Sequence, residues 1–147
     1  MIKVRTSVWV PAPPEEVFAF FDDPDNMLEF TPAAQRITRF ERLVDGRLSY
    51  AVTMLGSNGM EFGVEVEQVE RNPPKQLTTR SHASGFTSTN ARDFVPENGG
   101  TRVTSLFAAQ IHRGFLSPLM ELLQRDRTRL EADAIMHAVV ARFAARQ

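Results

Sequence analysis

The 147-residue sequence has no cysteine, which excludes disulfides, thiol catalysis and thiolate metal sites. No apolar run approaches the roughly 20 residues that a membrane-spanning helix needs. Neither sign of charge is in excess. The formal net charge is −1 and the basic residues are scattered, so there is no electrostatic footprint for nucleic acid. The first residues, with an early Arg5 inside an alternating pattern, do not read as a secretory signal, and the cytoplasm is the expected compartment. Proline and glycine are missing from every position after Pro118. An uninterrupted helix there would run roughly 40 Å, enough to cross a small domain.

What is present is an ordinary globular composition, 42% hydrophobic and 24% charged, long enough to bury a core as one domain over residues 1–147. Ser117-Pro118 is a good helix start. On a helical wheel Leu119, Leu123, Leu130, Ala134, Ala138 and Ala141 form one stripe, the face expected to pack. Beyond Ala134 the apolar set broadens to Ile135, Met136, Val139, Val140 and Phe143, which predicts deeper burial of the second half.

The chain opens with a strand at residues 2 to 10, in which Ile2, Val4, Thr6, Val8 and Val10 alternate with Lys3, Arg5, Ser7 and Trp9. Pro13-Pro14-Glu15-Glu16 begins a short helix that ends at Asp22-Asp23-Pro24, and Pro24 to Phe30 makes a second. From Gln35 the period is two. Strands are predicted near 36–43, 47–55, 59–71, 76–83, 86–95 and 101–111, joined by short turns that make neighbours antiparallel. The fold class is therefore α+β, with seven antiparallel strands, two short helices after the first strand and a long closing helix across the apolar face.

Val10-Pro11-Ala12-Pro13-Pro14-Glu15-Glu16-Val17-Phe18, the Asn72-Pro73-Pro74 turn, and Phe94-Val95-Pro96 leading to Gly99-Gly100-Thr101-Arg102-Val103-Thr104 resemble the helix-grip superfamily. These START-like, or SRPBCC, proteins include lipid-transfer domains, pathogenesis-related plant allergens and polyketide cyclase/dehydrase-like proteins. The resemblance covers nearly the whole chain. It implies a curved sheet gripping the C-terminal helix around an apolar cavity for a lipid, polyketide or similar molecule. It supplies no catalytic motif that this sequence matches, and no cofactor.

The alternation itself nominates cavity residues. Met60, Phe62, Val64 and Val66 share one strand face, and the same phase puts Leu48, Tyr50, Val52 and Met54 inside. Leu77, Thr79 and Ser81, then Ser88, Asn90, Arg92 and Phe94, then Val103, Ser105 and Phe107 continue the face unless a bulge reverses it. That set is wetter than a packed core, since an unpaired buried polar group costs roughly 1 to 3 kcal/mol. A ligand cavity accounts for it, and so does an open rim. The candidate ligand-binding residues are Tyr50, Val52, Phe62, Val64, Ser81, Ser88, Asn90, Arg92 and Phe107, with Leu123, Leu130 and Ala134 from the helix. Arg92 either holds a ligand carboxylate or phenolate, pairs with a carboxylate of the helices, or faces solvent after a register slip.

His137 lies one turn after Asp133, a spacing that suits an oriented base or a surface pair. His82 and His112 have no helical zinc spacing, and no metal is predicted. Glu15-Glu16 suits a helix start and Asp22-Asp23 a helix exit. Met27, Leu28 and Phe30 suit a lid over a cavity mouth or packing against the last helix. Three readings stand: a binder of a hydrophobic or aromatic small molecule, a polyketide cyclase/dehydrase-type enzyme using Arg92, Asn90, Tyr50 and His137, or an interaction module whose last helix docks on a partner or a second copy.

Overall fold

A computed structural model describes residues 1–56, 59–111 and 118–146, with the side chains of 111–125 outside the described set. The chain runs β1 (Ile2–Val10), α1 (Pro14–Asp22), α2 (Pro24–Phe30), β2 (Ala34–Arg42), β3 (Leu48–Leu55), β4 (Glu61–Asn72), β5 (Gln76–Ala83), β6 (Phe86–Glu97), β7 (Gly100–Ile111) and α3 (Pro118–Ala144). The strands form one antiparallel sheet in the order β1-β7-β6-β5-β4-β3-β2. This is the helix-grip arrangement, with all seven strands and three helices where the alternation and the prolines put them.

Local chemistry sets the boundaries. Pro14 starts α1 with Glu15 and Glu16 in its first turn, where carboxylates offset the exposed amide dipoles. Asp23 then ends α1 and caps α2, its Oδ1 accepting the Asp25 N–H at 3.0 Å. The chain thus turns sharply between two helices without leaving amides bare. Two register shifts interrupt β2, between Ala34 and Arg36 and between Ile37 and Arg39. A third in β4, between Gln68 and Glu70, turns Arg71 onto the inner face that Val66 and Gln68 already share.

The core is concentrated at one end. Val17, Phe18, Phe20 and Phe21 of α1 pack with Leu77, Phe94 and Val103 of the sheet and with Met136, Val139 and Phe143 of α3. Phe20 meets Phe143 edge-on at 5.3 Å between centroids, and Phe18 meets Phe94 at 5.5 Å. Such aromatic pairs add about 0.5 to 1.5 kcal/mol each beyond simple burial.

On α3 the structure bears out the deeper burial expected of the second half and corrects the expected packing stripe. Met136, Val139 and Phe143 point inward, flanked by Ala132, Ile135 and Val140, while Leu130, Ala134 and Ala141 face out and Leu130 is 71% exposed. Packing is decided by the larger groups. Burying methionine, valine and phenylalanine gains about 1.5 to 3 kcal/mol each, against roughly one methyl for each alanine in the rival stripe. Leu119 and Leu123, the other large members of that stripe, lie outside the described side chains.

Candidate functional site

Beyond the phenylalanine-rich end, the concave face of the sheet encloses a cavity of about 1080 Å³. Strand register builds it in rows. Tyr50, Val66, Ser81 and Ser88 stand opposite one another across β3 to β6, with Val52 beside Val64 in the next row. Thr79, Asn90 and Phe107 form a third row, and Arg92 pairs with Ser105 in a fourth. The predicted face is the observed one. Nine of the nominated residues, Tyr50, Val52, Phe62, Val64, Ser81, Ser88, Asn90, Arg92 and Phe107, line this single space. Leu130 and Ala134 do not, because the rotation of α3 carries them to its outer side; Glu131 and Ile135 reach the cavity instead. Leu123 falls among the side chains that are not described.

Polarity is graded across the wall. β3 and the first half of β4 contribute Val52, Met54, Phe62, Val64 and Val66, whereas β5 and β6 contribute Thr79, Ser81, Ser88, Asn90 and Arg92. Phe62 is 46% exposed and Met60 68%, so the apolar wall opens outward there as a mouth. Met27 and Leu28 of α2 line the same cavity, and Phe30 packs on Phe20 at 5.5 Å. The second helix therefore serves both as a wall and as core packing.

Arg92 is the electrostatic centre. Its guanidinium lies 4.7 Å from the Phe21 ring centroid, and no carboxylate among the described residues pairs with it. Desolvation pulls its pKa down to about 10, so it stays cationic at neutral pH. What accessible surface it keeps is directed into the cavity. Tyr50 feels the same field: burial raises its phenol above the usual value of 10, partly offset by the Arg92 charge. Tyr50 is thus a neutral hydroxyl facing a cation across the cavity.

A second polar group closes the floor. Asp22 accepts from Arg71 Nε at 3.1 Å, Arg71 Nη2 at 2.9 Å and Gln68 Nε2 at 2.8 Å. Gln68 Oε1 in turn accepts the Leu48 N–H at 2.8 Å, which ties α1 to β3 and β4. The alternation of β4 extended to Gln68, but nothing in the sequence announced that Asp22 would meet it. His137 takes the surface reading, with the Asp133 backbone in place of its carboxylate. Its Nδ1 lies 2.8 Å from the Asp133 carbonyl oxygen rather than the carboxylate, and the ring is exposed and outside the cavity.

The family model for "polyketide cyclase / dehydrase and lipid transport" matches residues 1–146. The chain belongs to that family. Among solved structures, this polyketide cyclase-family chain is similar to TTHA0849 from Thermus thermophilus, with 18% identity, TM-score 0.76 and 99% of each chain covered. It is similar as well to a START superfamily protein from Mycobacterium smegmatis, with 15% identity, TM-score 0.73 and 95% and 97% coverage. The di-domain ARO/CYC StfQ of the steffimycin biosynthetic pathway superposes with TM-score 0.80 at 13% identity, over 99% of this chain and 52% of that one. At these identities the likeness establishes the fold. No curated protein matches the sequence.

Proposed function

We propose that this family member binds a hydrophobic or aromatic small molecule, of the lipid or polyketide kind, between its sheet and α3. The observation that supports this most is the 1080 Å³ cavity, on whose β3 and β4 wall Val52, Met54, Phe62, Val64 and Val66 outnumber Tyr50, Glu61 and Gln68. Ligand sites are concave, mostly apolar and fixed by a few polar groups, and this wall has that composition. Nile red, an uncharged apolar dye, is expected to bind one per chain. Val64→Trp, which projects into the cavity from β4, weakens that binding at least about tenfold while leaving the unfolding midpoint within a few degrees. Failure of the wild-type chain to bind the dye, together with no apolar adduct in native mass spectrometry, would remove this reading.

An enzymatic reading of the cyclase or dehydrase type is favoured by one observation, the Tyr50 hydroxyl and Arg92 cation facing the same space, where they would stabilise an enolate. Turnover of a polyketone panel, lost on Arg92→Ala, would favour it. The docking-module reading loses Phe143 as an anchor, since that side chain is 2% exposed and set edge-on against Phe20.

A further inference from the structure

Behind the main cavity lies a smaller chamber of about 160 Å³ between α3 and strands β1, β7 and β6. Among the described residues three buried polar atoms lack a hydrogen-bond partner, Asn90 Oδ1, Arg92 Nε and Ser105 Oγ, and all three residues line this chamber, Asn90 and Arg92 bordering the main cavity as well. They are not scattered. Thr6, Ser105 and Arg92 stand opposite one another on β1, β7 and β6, and Asn90 and Phe107 occupy the next row.

Orphaned donors and acceptors of this kind are rare because each costs the full desolvation of a polar group. Here one of them belongs to a guanidinium that has no carboxylate partner among the described residues. Ser105 is only 5% exposed and Thr6 only 6%, so bulk water does not reach them freely. The chamber shares Asn90, Arg92, Phe107, Glu131 and Ile135 with the main cavity, so one molecule can occupy both.

Building on the small-molecule reading above, we infer that the ligand is an amphiphilic carboxylic acid, its carboxylate seated in the rear chamber on Arg92, Ser105 and Thr6 and its apolar body in the main cavity. A carboxylate offers two acceptor oxygens to the guanidinium fork and accepts from the two hydroxyls. Asn90 has an amide N–H₂ to add from the adjoining row. Burial pushes the Arg92 pKa down, and an anion beside it would push it back up. The acidic residue on the described lining of this chamber is Glu131, whose Oε1 accepts from Arg127 Nε at 3.2 Å on the exposed side of α3.

Calorimetric titration with decanoate and with decan-1-ol at pH 8 separates the headgroup from the chain. Charge-assisted hydrogen bonds predict decanoate tighter by about 10-fold or more. Arg92→Met brings the two within about twofold. The double variant Thr6→Val with Ser105→Ala, which keeps the charge, loses several-fold of the preference. Because Arg92→Met deletes an uncompensated buried cation, its unfolding temperature rises; a purely structural arginine would make it fall. Equal binding of the two probes by the wild-type chain, or a decanoate preference that survives Arg92→Met, overturns the carboxylate seat while the apolar cavity stands. If neither probe binds, the cavity reading falls and takes this inference with it.

Discussion

At one end of the sheet Phe18, Phe20, Phe21, Phe94 and Phe143 interlock beneath α3; at the other the same alternating strands present Ser81, Ser88, Asn90 and Arg92 to an open volume. The backbone pattern is the same at both ends, and only the side chains differ. Leu77 and Phe94 flank Arg92 along the same inner face, so the change from filled to hollow takes place within two residues of a strand. A curved sheet gripped by a helix leaves more room than these strands fill. Stability is concentrated where phenylalanine fills it, and recognition where serine and arginine do not.

Truncation at the two ends should therefore give very different results. Phe143→Ala opens a void among Phe20, Val139 and Met136 and is expected to cost about 3 to 5 kcal/mol in chemical denaturation. Val64→Ala, on a wall that already borders empty space, should cost less than about 1 kcal/mol. Equal losses would mean that the cavity collapses in solution. Asp22→Ala tests the junction between the ends. It strands Arg71 and the 2%-exposed Gln68 together, so a loss of about 2 to 3 kcal/mol is expected in urea unfolding. A change under about 0.5 kcal/mol would show that the three residues are joined only loosely.

The smallest effect concerns pH. Tyr50 has a folded pKa above 10, so from pH 10 upward the unfolded chain releases a proton that the folded chain keeps, and stability falls as pH rises. Arg92 acts in the opposite sense, since the folded chain releases its proton from about 10 and the unfolded chain does not. Tyr50→Phe deletes only the first contribution. Between pH 9 and 11 its stability should decline less steeply than that of the parent chain. Parallel profiles would place Tyr50 in contact with solvent.

The period-two alternation made strand positions and faces legible before any coordinates, because a half-buried strand has only two faces to choose between. Tyr50, Asn90 and Arg92 were found that way. A helix has a continuum of rotations, and the choice between the Leu130 stripe and the Met136–Val139–Phe143 stripe depended on what the sheet and α1 offered as partners. Thr6 was visible in the β1 alternation, but its value lay in meeting Ser105 and Arg92 across two strand boundaries. Asp22 was readable as a helix exit. Its bond to Arg71 depends on an irregularity in β4 that no local pattern encodes.

The margins of the sheet are guarded differently. β1 lies against α3, while β2 forms the opposite edge. An outermost strand that ran straight would offer its unpaired amides and carbonyls to any neighbouring copy. The two register shifts in β2, with Arg36, Arg39 and Arg42 spaced along it, bend and charge that edge and make it a poor template for a further strand.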